Sequence, residues 1–151
     1  MRKKLGVIFV CYGNICRSPM AEFLFKNTPC GKRCNVSSAA TSYEEEGAPV
    51  HYGTKKILSS LGIDCSDFSA HRLTLAECDG ADYIIGMERS NVRDIKRICG
   101  AANEYKVYSL LDFTDHPRDI ADPWYTHDFN ATYRDITEGL EAFAKVAEER
   151  L

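Results

Sequence analysis

The stretch of residues 5–21, LGVIFVCYGNICRSPMA, constrains the fold more than any other part of the chain. Its first six residues are largely apolar, which is typical of a buried β-strand. A short loop with Gly13 and Asn14 follows, and Ser18 and Pro19 suit the N-cap and the first turn of a helix. A strand that passes through a tight loop directly into a helix is a building unit of parallel α/β sheets.

The rest of the chain continues this alternation of strands and helices. Further runs with strand character lie at residues 35–41, 81–87 and 106–111. Apolar residues recur at helical spacing in residues 51–61, in the segment that opens at Glu88, and in residues 129–150. We therefore expect an α/β fold, a doubly wound, four-stranded parallel sheet with helices on both faces, and a single domain over residues 1–151.

The loop after the first strand has the composition of an anion site. Five residues separate Cys11 from Arg17, enough for a ring of backbone N–H groups around a small anion. The guanidinium of Arg17 is a planar fork for two phosphate oxygens, and the start of the helix adds positive potential. The same groups favour the thiolate form of Cys11. The spacing thus predicts a sulfur nucleophile facing a bound phosphate.

Two segments carry a resemblance to a known family. Residues 11–19, CYGNICRSP, and residues 122–125, DPWY, are similar to the signature loop and the late Asp-Pro segment of the low-molecular-weight protein tyrosine phosphatases. The resemblance covers the whole chain and implies a flavodoxin-like fold of the phosphatase I type. It also implies hydrolysis of phosphotyrosine through a cysteinyl phosphate on Cys11, with Arg17 and the loop amides binding phosphate and Asp122 as general acid and base.

The resemblance implies roles for the neighbours of these residues. Ser18 either caps the helix or donates to the Cys11 sulfur, and the resemblance favours the second role. Asn14 either adopts a left-handed backbone or bonds the next strand, and in both cases it supports the loop. The expected substrate site is completed by Tyr12, Gly13, Asn14, Ile15, Cys16, Trp124 and Tyr125. Cys16 is either a reversible redox partner of Cys11 or an inert packed thiol.

Several alternatives share the fold or the loop. Ile15 favours phosphotyrosine, because arginine phosphatases of this type usually have Thr there. A thiol-dependent arsenate reductase needs further cysteines to relay oxidising equivalents. Cys78 lies in a suitable region, but Cys99 is too remote to be the second redox cysteine. A phosphocarrier domain would need no general acid, and would therefore not need Asp122.

Composition narrows the possible partners. The net charge of −3 argues against nucleic-acid binding. Arg2, Lys3 and Lys4 precede an apolar run that is too short for a signal peptide, and no stretch reaches transmembrane length, so we expect no membrane partner and a cytoplasmic protein. Seven cysteines without a paired framework suggest reduced thiols. We expect no cofactor and no metal, phosphotyrosine proteins as partners, inhibition by phosphate-like oxyanions, and a monomer.

The remaining polar residues receive structural interpretations. Three glutamates at residues 44–46 suit a solvated loop, or discourage acidic partners near the site. Tyr43 is a candidate for an aromatic wall of the substrate cleft. Glu88 is expected to make local hydrogen bonds outside the site. The histidines are interpreted as surface or structural residues: His51, His71, His116 and His127.

Overall fold

The fold is a parallel sheet with helices packed on both of its faces. The computed structural model describes residues 4–151; Arg2 and Lys3, which precede the apolar run, lie outside the described residues. Within that range the sheet has four parallel strands in the order β2-β1-β3-β4. The strands are β1 (Leu5–Cys11), β2 (Cys34–Ala40), β3 (Tyr83–Gly86) and β4 (Val107–Ser109). The helices are α1 (Arg17–Lys26), α2 (Tyr52–Ser60), α3 (Leu75–Gly80), α4 (Arg89–Cys99), α5 (Pro123–Thr126) and α6 (Phe129–Glu148).

Strand β1 is buried on both faces, as the apolar run predicts. Alternate residues point to opposite faces of a strand. Phe9 packs against Phe25 of α1 at 5.8 Å and Phe143 of α6 at 6.4 Å between ring centroids. Ile8 belongs to a second core that includes Ile95 of α4. The predicted four-stranded sheet with helices on both faces is therefore confirmed.

The strand order decides where a ligand can bind. From β1 the chain moves to β2 on one side, and β3 then lies on the other side of β1. Such a reversal leaves a crevice at the carboxyl ends of the central strands. Cys11 is the last residue of β1, so it lies at this crevice.

Two local predictions need correction. Helix α1 begins at Arg17, and its N-cap is Cys16, which makes no side-chain cap. Ser18 is therefore not the N-cap, because its hydroxyl is used elsewhere in the loop. The strand predicted at residues 106–111 is shorter, since a 3-10 turn (Leu110–Phe113) follows β4.

The cysteines are not all reduced thiols. Cys78 of α3 and Cys99 of α4 form a disulfide, although 21 positions separate them in the sequence. Both lie in the core between the sheet and these two helices. The expectation of unpaired thiols, and the statement that Cys99 is too remote from Cys78, are wrong because sequence distance says nothing about two helices that pack side by side. Cys11, Cys16, Cys30, Cys34 and Cys65 are free and buried.

Among residues 4–151, no helix combines the length and the apolar character that crossing a membrane requires.

Candidate active site

The loop between β1 and α1 directs hydrogen-bond donors at the sulfur of Cys11. The backbone N–H of Ser18 lies 3.4 Å from this sulfur, and the Ser18 hydroxyl oxygen lies 3.0 Å from it. The N–H belongs to the first turn of α1, where helix N–H groups have no intrahelical partner and carry positive potential. The sulfur therefore lies at the positive end of a helix, as the sequence predicts.

Asn14 stabilises the loop from below. Its backbone is left-handed, with φ of 59°, and its side chain is fully buried. The side-chain amide donates to the hydroxyls of Ser18 (2.8 Å) and Ser38 (3.0 Å), and its oxygen accepts the backbone N–H of His71 (3.2 Å). Because Ser18 accepts from Asn14, the Ser18 hydroxyl hydrogen is free to point at the sulfur. Asn14 does not line the cavity, so it supports the loop and does not touch a ligand there.

The hydrogen bonds continue from Ser38 into α1. The Ser38 hydroxyl donates to the carboxylate of Glu22 at 2.5 Å, and Glu22 in turn pairs with Lys26. Glu22 is 6% exposed and Ser38 is 2% exposed. Buried polar groups with this many partners hold one geometry, because leaving any of them unpaired is costly.

Arg17 is buried and is held by oxygen atoms from two distant segments. One terminal nitrogen of its guanidinium donates to Glu88 at 2.6 Å and to the carbonyl of Ile120 at 2.7 Å. The other lies 3.4 Å from the carboxylate of Asp122. Burial by itself would lower the pKa of Arg17, but the negative charges of Cys11, Asp122 and Glu88 outweigh burial and raise it. The guanidinium stays charged at the base of the site.

Glu88 is a site residue that sequence reasoning missed. Its expected role was local hydrogen bonding, yet its carboxylate anchors Arg17 across the sheet. Burial favours the protonated acid, but hydrogen bonds from Ser90 and Arg17 outweigh burial and lower the pKa of Glu88. Its position at the start of α4, just after β3, was the available signal, because ligands bind beyond the carboxyl ends of neighbouring strands.

Asp122 faces the same cavity from the start of α5. One carboxylate oxygen accepts the backbone N–H of Trp124 at 3.0 Å, and the other faces Arg17. Asp122 is thus a helix cap whose carboxylate also points at the loop between β1 and α1. This loop, residues 11–18, is called the phosphate loop below. Of the four aspartates in residues 112–122, all within the described range, Asp122 alone lines the cavity.

The cavity has a volume of about 120 Å³. It brings together most of the residues that the sequence proposes, and it adds Glu44 and Glu45. Its lining consists of Cys11, Tyr12, Gly13, Ile15, Cys16, Arg17, Glu44, Glu45, Asp122, Trp124 and Tyr125. The base is the phosphate loop, and the walls are aromatic and acidic.

The walls differ from the predicted ones on one side. Trp124 and Tyr125 are 52% and 78% exposed, so their rings stand at the mouth. Tyr43 does not line the cavity; its ring stacks against Arg72, whose guanidinium carbon lies 4.7 Å from the ring centroid. Glu44 takes the place of the aromatic wall and accepts a 2.7 Å hydrogen bond from the Tyr12 hydroxyl, which raises the pKa of Tyr12.

Cys16 lines the cavity as a free thiol. Burial, followed by the nearby negative charges of Cys11 and Asp122, raises the pKa of Cys16 to about 12. A thiol with so high a pKa is protonated at neutral pH and is a poor nucleophile. The cavity therefore holds two sulfurs. Because the Cys11 sulfur lies at the start of α1 and contacts the Ser18 donors, it is better placed than the Cys16 sulfur to act as the nucleophile.

Comparison with known proteins identifies the family to which the chain is similar. A model of the family "Low molecular weight phosphotyrosine protein phosphatase" matches residues 6–151. The low molecular weight protein-tyrosine-phosphatase YfkJ of Bacillus subtilis is 34% identical over 143 residues, which cover 91% of this chain and 92% of YfkJ. PtpA of Staphylococcus saprophyticus, of the same description, is 40% identical over 142 residues, covering 91% of this chain and 90% of PtpA.

The fold agrees as well. The crystal structure of YfkJ superposes with a TM-score of 0.92 at 31% identity, covering 99% of this chain and 98% of YfkJ. The family match spans nearly the whole chain, and two relatives exceed 30% identity over most of their length. This chain therefore belongs to the low molecular weight phosphotyrosine protein phosphatase family and is an enzyme of that class.

Proposed function

We propose that the protein hydrolyses phosphotyrosine in two displacements, with Cys11 as the nucleophile. The observation that carries the proposal is the position of the Cys11 sulfur, with Ser18 donors on one side and, lining the same cavity, buried Arg17 and the carboxylate of Asp122. A nucleophile, an anion-binding cation and an acid in one cavity are the parts that phosphoryl transfer requires.

In the first step the Cys11 thiolate attacks phosphorus. A sulfur–phosphorus bond forms while the bond from phosphorus to the tyrosine oxygen breaks. The departing phenolate takes a proton from Asp122, which lines the cavity. Positioned acid catalysis of this kind contributes roughly 10²- to 10⁴-fold to the rate.

In the second step water attacks the phosphorus of the cysteinyl phosphate. Asp122, now a carboxylate, takes the proton from this water, the sulfur–phosphorus bond breaks, and inorganic phosphate leaves. The sulfur departs as a thiolate, so the Ser18 N–H and hydroxyl stabilise the leaving group.

Arg17 and the loop amides stabilise the phosphoryl oxygens in both steps. One guanidinium nitrogen is already held by Glu88 and Ile120, which fixes the plane of the fork before a ligand arrives. Donors that are fixed in advance cost no reorganisation during the reaction, and this electrostatic contribution is the largest in many enzymes.

The aromatic walls favour an aryl phosphate. Tyr12, Trp124 and Tyr125 line the mouth and can flank a phenyl ring.

The disulfide of Cys78 and Cys99 lies in the core that contains Ile8 and Ile95, whereas Cys11 belongs to the core on the other face of β1. This separation speaks against a relay of oxidising equivalents and so against an arsenate reductase.

The test is turnover of p-nitrophenyl phosphate and of phosphotyrosine and phosphoarginine peptides by wild type and Cys11→Ser. We expect vanadate-sensitive hydrolysis that persists in EDTA, a preference for phosphotyrosine, and no turnover by Cys11→Ser. Acid quenching during turnover should trap phosphate on Cys11 in wild type. Turnover by Cys11→Ser, or an absence of phosphocysteine under burst conditions, would overturn the proposal.

The same proposal includes the state of the protein in the cell. We propose one domain over residues 1–151, a monomer, and a cytoplasmic location. Size-exclusion chromatography with light scattering, and fractionation of the source cells, would test these points.

A further inference from the structure

His51 connects three parts of the molecule that the sequence keeps apart. Its backbone N–H donates to the carbonyl of Ile15 in the phosphate loop at 2.8 Å. Its ring stacks on Phe129 at the start of α6, with centroids 5.2 Å apart and planes at 15°. The ring also meets Trp124 edge to face, with centroids 5.8 Å apart and planes at 75°. His51 is a hydrogen-bonded structural histidine, as expected from the sequence, and its position beside Trp124 adds contacts that this interpretation does not include.

The fold fixes the ring of His51 in one orientation. Its Nδ1 accepts the backbone N–H of Gly53 at 3.0 Å, which caps helix α2. Phe129 packs so closely on Gly53 that a Cβ there would come within 2.4 Å of the Phe129 ring. The hydrogen bond to Gly53 and the stack on Phe129 together hold the imidazole ring in this orientation.

Trp124 depends on neighbours for its position, because half of its surface is exposed. Its backbone is tied to Asp122 through the cap of α5, but this bond does not orient the indole. A contact between aromatic rings in T-shaped geometry supplies both attraction and direction. The ring of His51 provides such a contact on the side of the indole turned toward α2 and α6.

We infer that His51 is a positioning residue that holds Trp124 as a wall of the substrate cleft. The inference rests on the proposed function, because the wall matters only if an aryl group binds against it. His51 itself does not line the catalytic cavity. It acts on the aryl group through Trp124, and it ties the wall to the phosphate loop through Ile15.

Two substitutions separate this role from helix capping. His51→Asn keeps a side-chain acceptor for the Gly53 N–H but removes the ring. His51→Phe keeps a flat ring against Phe129 and Trp124 but removes the acceptor. If His51 acted only as a cap, the Asn variant would behave like wild type and the Phe variant would not. If His51 positions Trp124, the Phe variant will keep wild-type substrate binding and the Asn variant will not.

Trp124 is the single tryptophan of the sequence, so its fluorescence reports on this contact without any turnover. In His51→Asn we expect a shifted emission maximum and stronger acrylamide quenching. We also expect its KM for a phosphotyrosine peptide to rise by about three- to tenfold at a nearly constant kcat. The inhibition constant of inorganic phosphate, which has no aryl group, should stay unchanged.

The matched control is His127→Asn. His127 ends α5 with a left-handed backbone, φ of 61°, which Asn tolerates. His127 and His51 line one surface groove, but His127 lies three positions after Trp124 along the chain, so emission and KM should match wild type. The KM of His51→Phe should lie within about twofold of wild type, unlike that of His51→Asn. Its melting temperature should fall, because the helix α2 loses the side-chain acceptor for the Gly53 N–H.

The possible outcomes distinguish a failure of the positioning role of His51 from a failure of the proposed function. Wild-type emission and KM in His51→Asn, or a high KM in a folded His51→Phe, would overturn the positioning role. An absence of phosphotyrosine turnover in wild type would overturn the proposed function. Fluorescence of the same variants would then still show whether His51 orients Trp124.

Discussion

The phosphate loop and the acid segment, residues 122–125, face each other across one cavity but are held in different ways. The loop lies within eight consecutive residues, and its key side chains, Asn14, Arg17 and Ser18, are at most 2% exposed. The acid segment carries its aromatic rings in solvent, with Tyr125 78% exposed. The loop is held by a buried network, whereas the segment is held by an end cap and by a few contacts from other parts of the chain.

This difference has a consequence for catalysis. Groups that bind the transferring phosphoryl must be in place before the reaction, and burial with satisfied hydrogen bonds provides this. The segment of residues 122–125 instead lies on a short helix with exposed rings, so little of the fold depends on its side chains. We therefore expect changes in the loop to affect stability and turnover together, and changes in the acid segment to affect turnover with little effect on stability.

Among the substitutions that distinguish the two regions, the largest effect is expected from Asp122→Asn. Asn is as good an N-cap as Asp, so the free energy of unfolding should change by less than about 0.5 kcal/mol. The acid is lost, so kcat/KM for phenyl phosphate, which reports the first displacement and not the shared hydrolysis of the cysteinyl phosphate, should fall by roughly 10²- to 10⁴-fold. The matched substrate is p-nitrophenyl phosphate, whose leaving group needs less protonation and should lose less. Equal losses on both substrates would show that Asp122 is not the acid.

Glu88→Gln tests the hydrogen bond that holds Arg17, the loop residue that faces Asp122. Without its charge the anchor of Arg17 weakens, and kcat/KM should fall by about 10- to 100-fold because the fork is misplaced. The pKa of Glu88 is lower in the folded chain than in the unfolded one. Its contribution to stability is therefore complete above the ordinary carboxyl range and is lost as pH falls through the lowered value.

Urea unfolding of wild type and Glu88→Gln at a series of pH values would measure this contribution. The difference between the two proteins should be largest near neutral pH and should shrink below about pH 4, where the Glu88 carboxyl of the unfolded chain begins to protonate. A difference that is constant with pH would mean that the charge of Glu88 does not stabilise the fold.

Asn14→Ala tests whether the loop network couples stability to activity. Ala removes the hydrogen bonds to Ser18 and Ser38 and strains the left-handed backbone, so unfolding should cost about 1–3 kcal/mol less. We expect kcat/KM to fall by about tenfold, since Ser18 is no longer oriented toward sulfur. Asn14→Gly loses the same bonds without the strain and should be about 1 kcal/mol more stable than Asn14→Ala. Equal stability of the two variants would contradict backbone strain at this position.

The smallest effect is expected at the acidic wall. The sequence suggests that the glutamates discourage acidic partners, and Glu44 lies in the cavity lining. At low salt, Glu44→Gln should reduce the preference for lysine-flanked over glutamate-flanked phosphotyrosine peptides by about two- to threefold. Glu46→Gln is the control, because Glu46 accepts the N–H of Arg72 at 3.0 Å and does not line the cavity. The same reduction in both variants would indicate a general charge effect.

Several features follow from residues that are close in sequence. The apolar run that ends at Cys11 predicts β1, and the spacing from Cys11 to Arg17 predicts the anion loop, because both depend on backbone geometry over a few residues. The alternation of strand and helix patterns predicts the parallel sheet with two covered faces, since each apolar face must be buried. Asp122 precedes Pro123 in the sequence, and the structure shows that it caps the short helix α5.

Other features depend on which distant segments meet. Glu88 reaches Arg17 across 71 positions, and Cys78 meets Cys99 across 21. Glu44 replaces the expected aromatic wall because the loop after β2 stacks Tyr43 on Arg72 and directs Glu44 to Tyr12. His51 reaches Trp124 only because α2 and α6 begin side by side. Local hydrogen bonds and periodicity are properties of neighbouring residues, and the sequence alone determines them. Pairings between segments depend on strand order and helix packing, which only the tertiary structure decided.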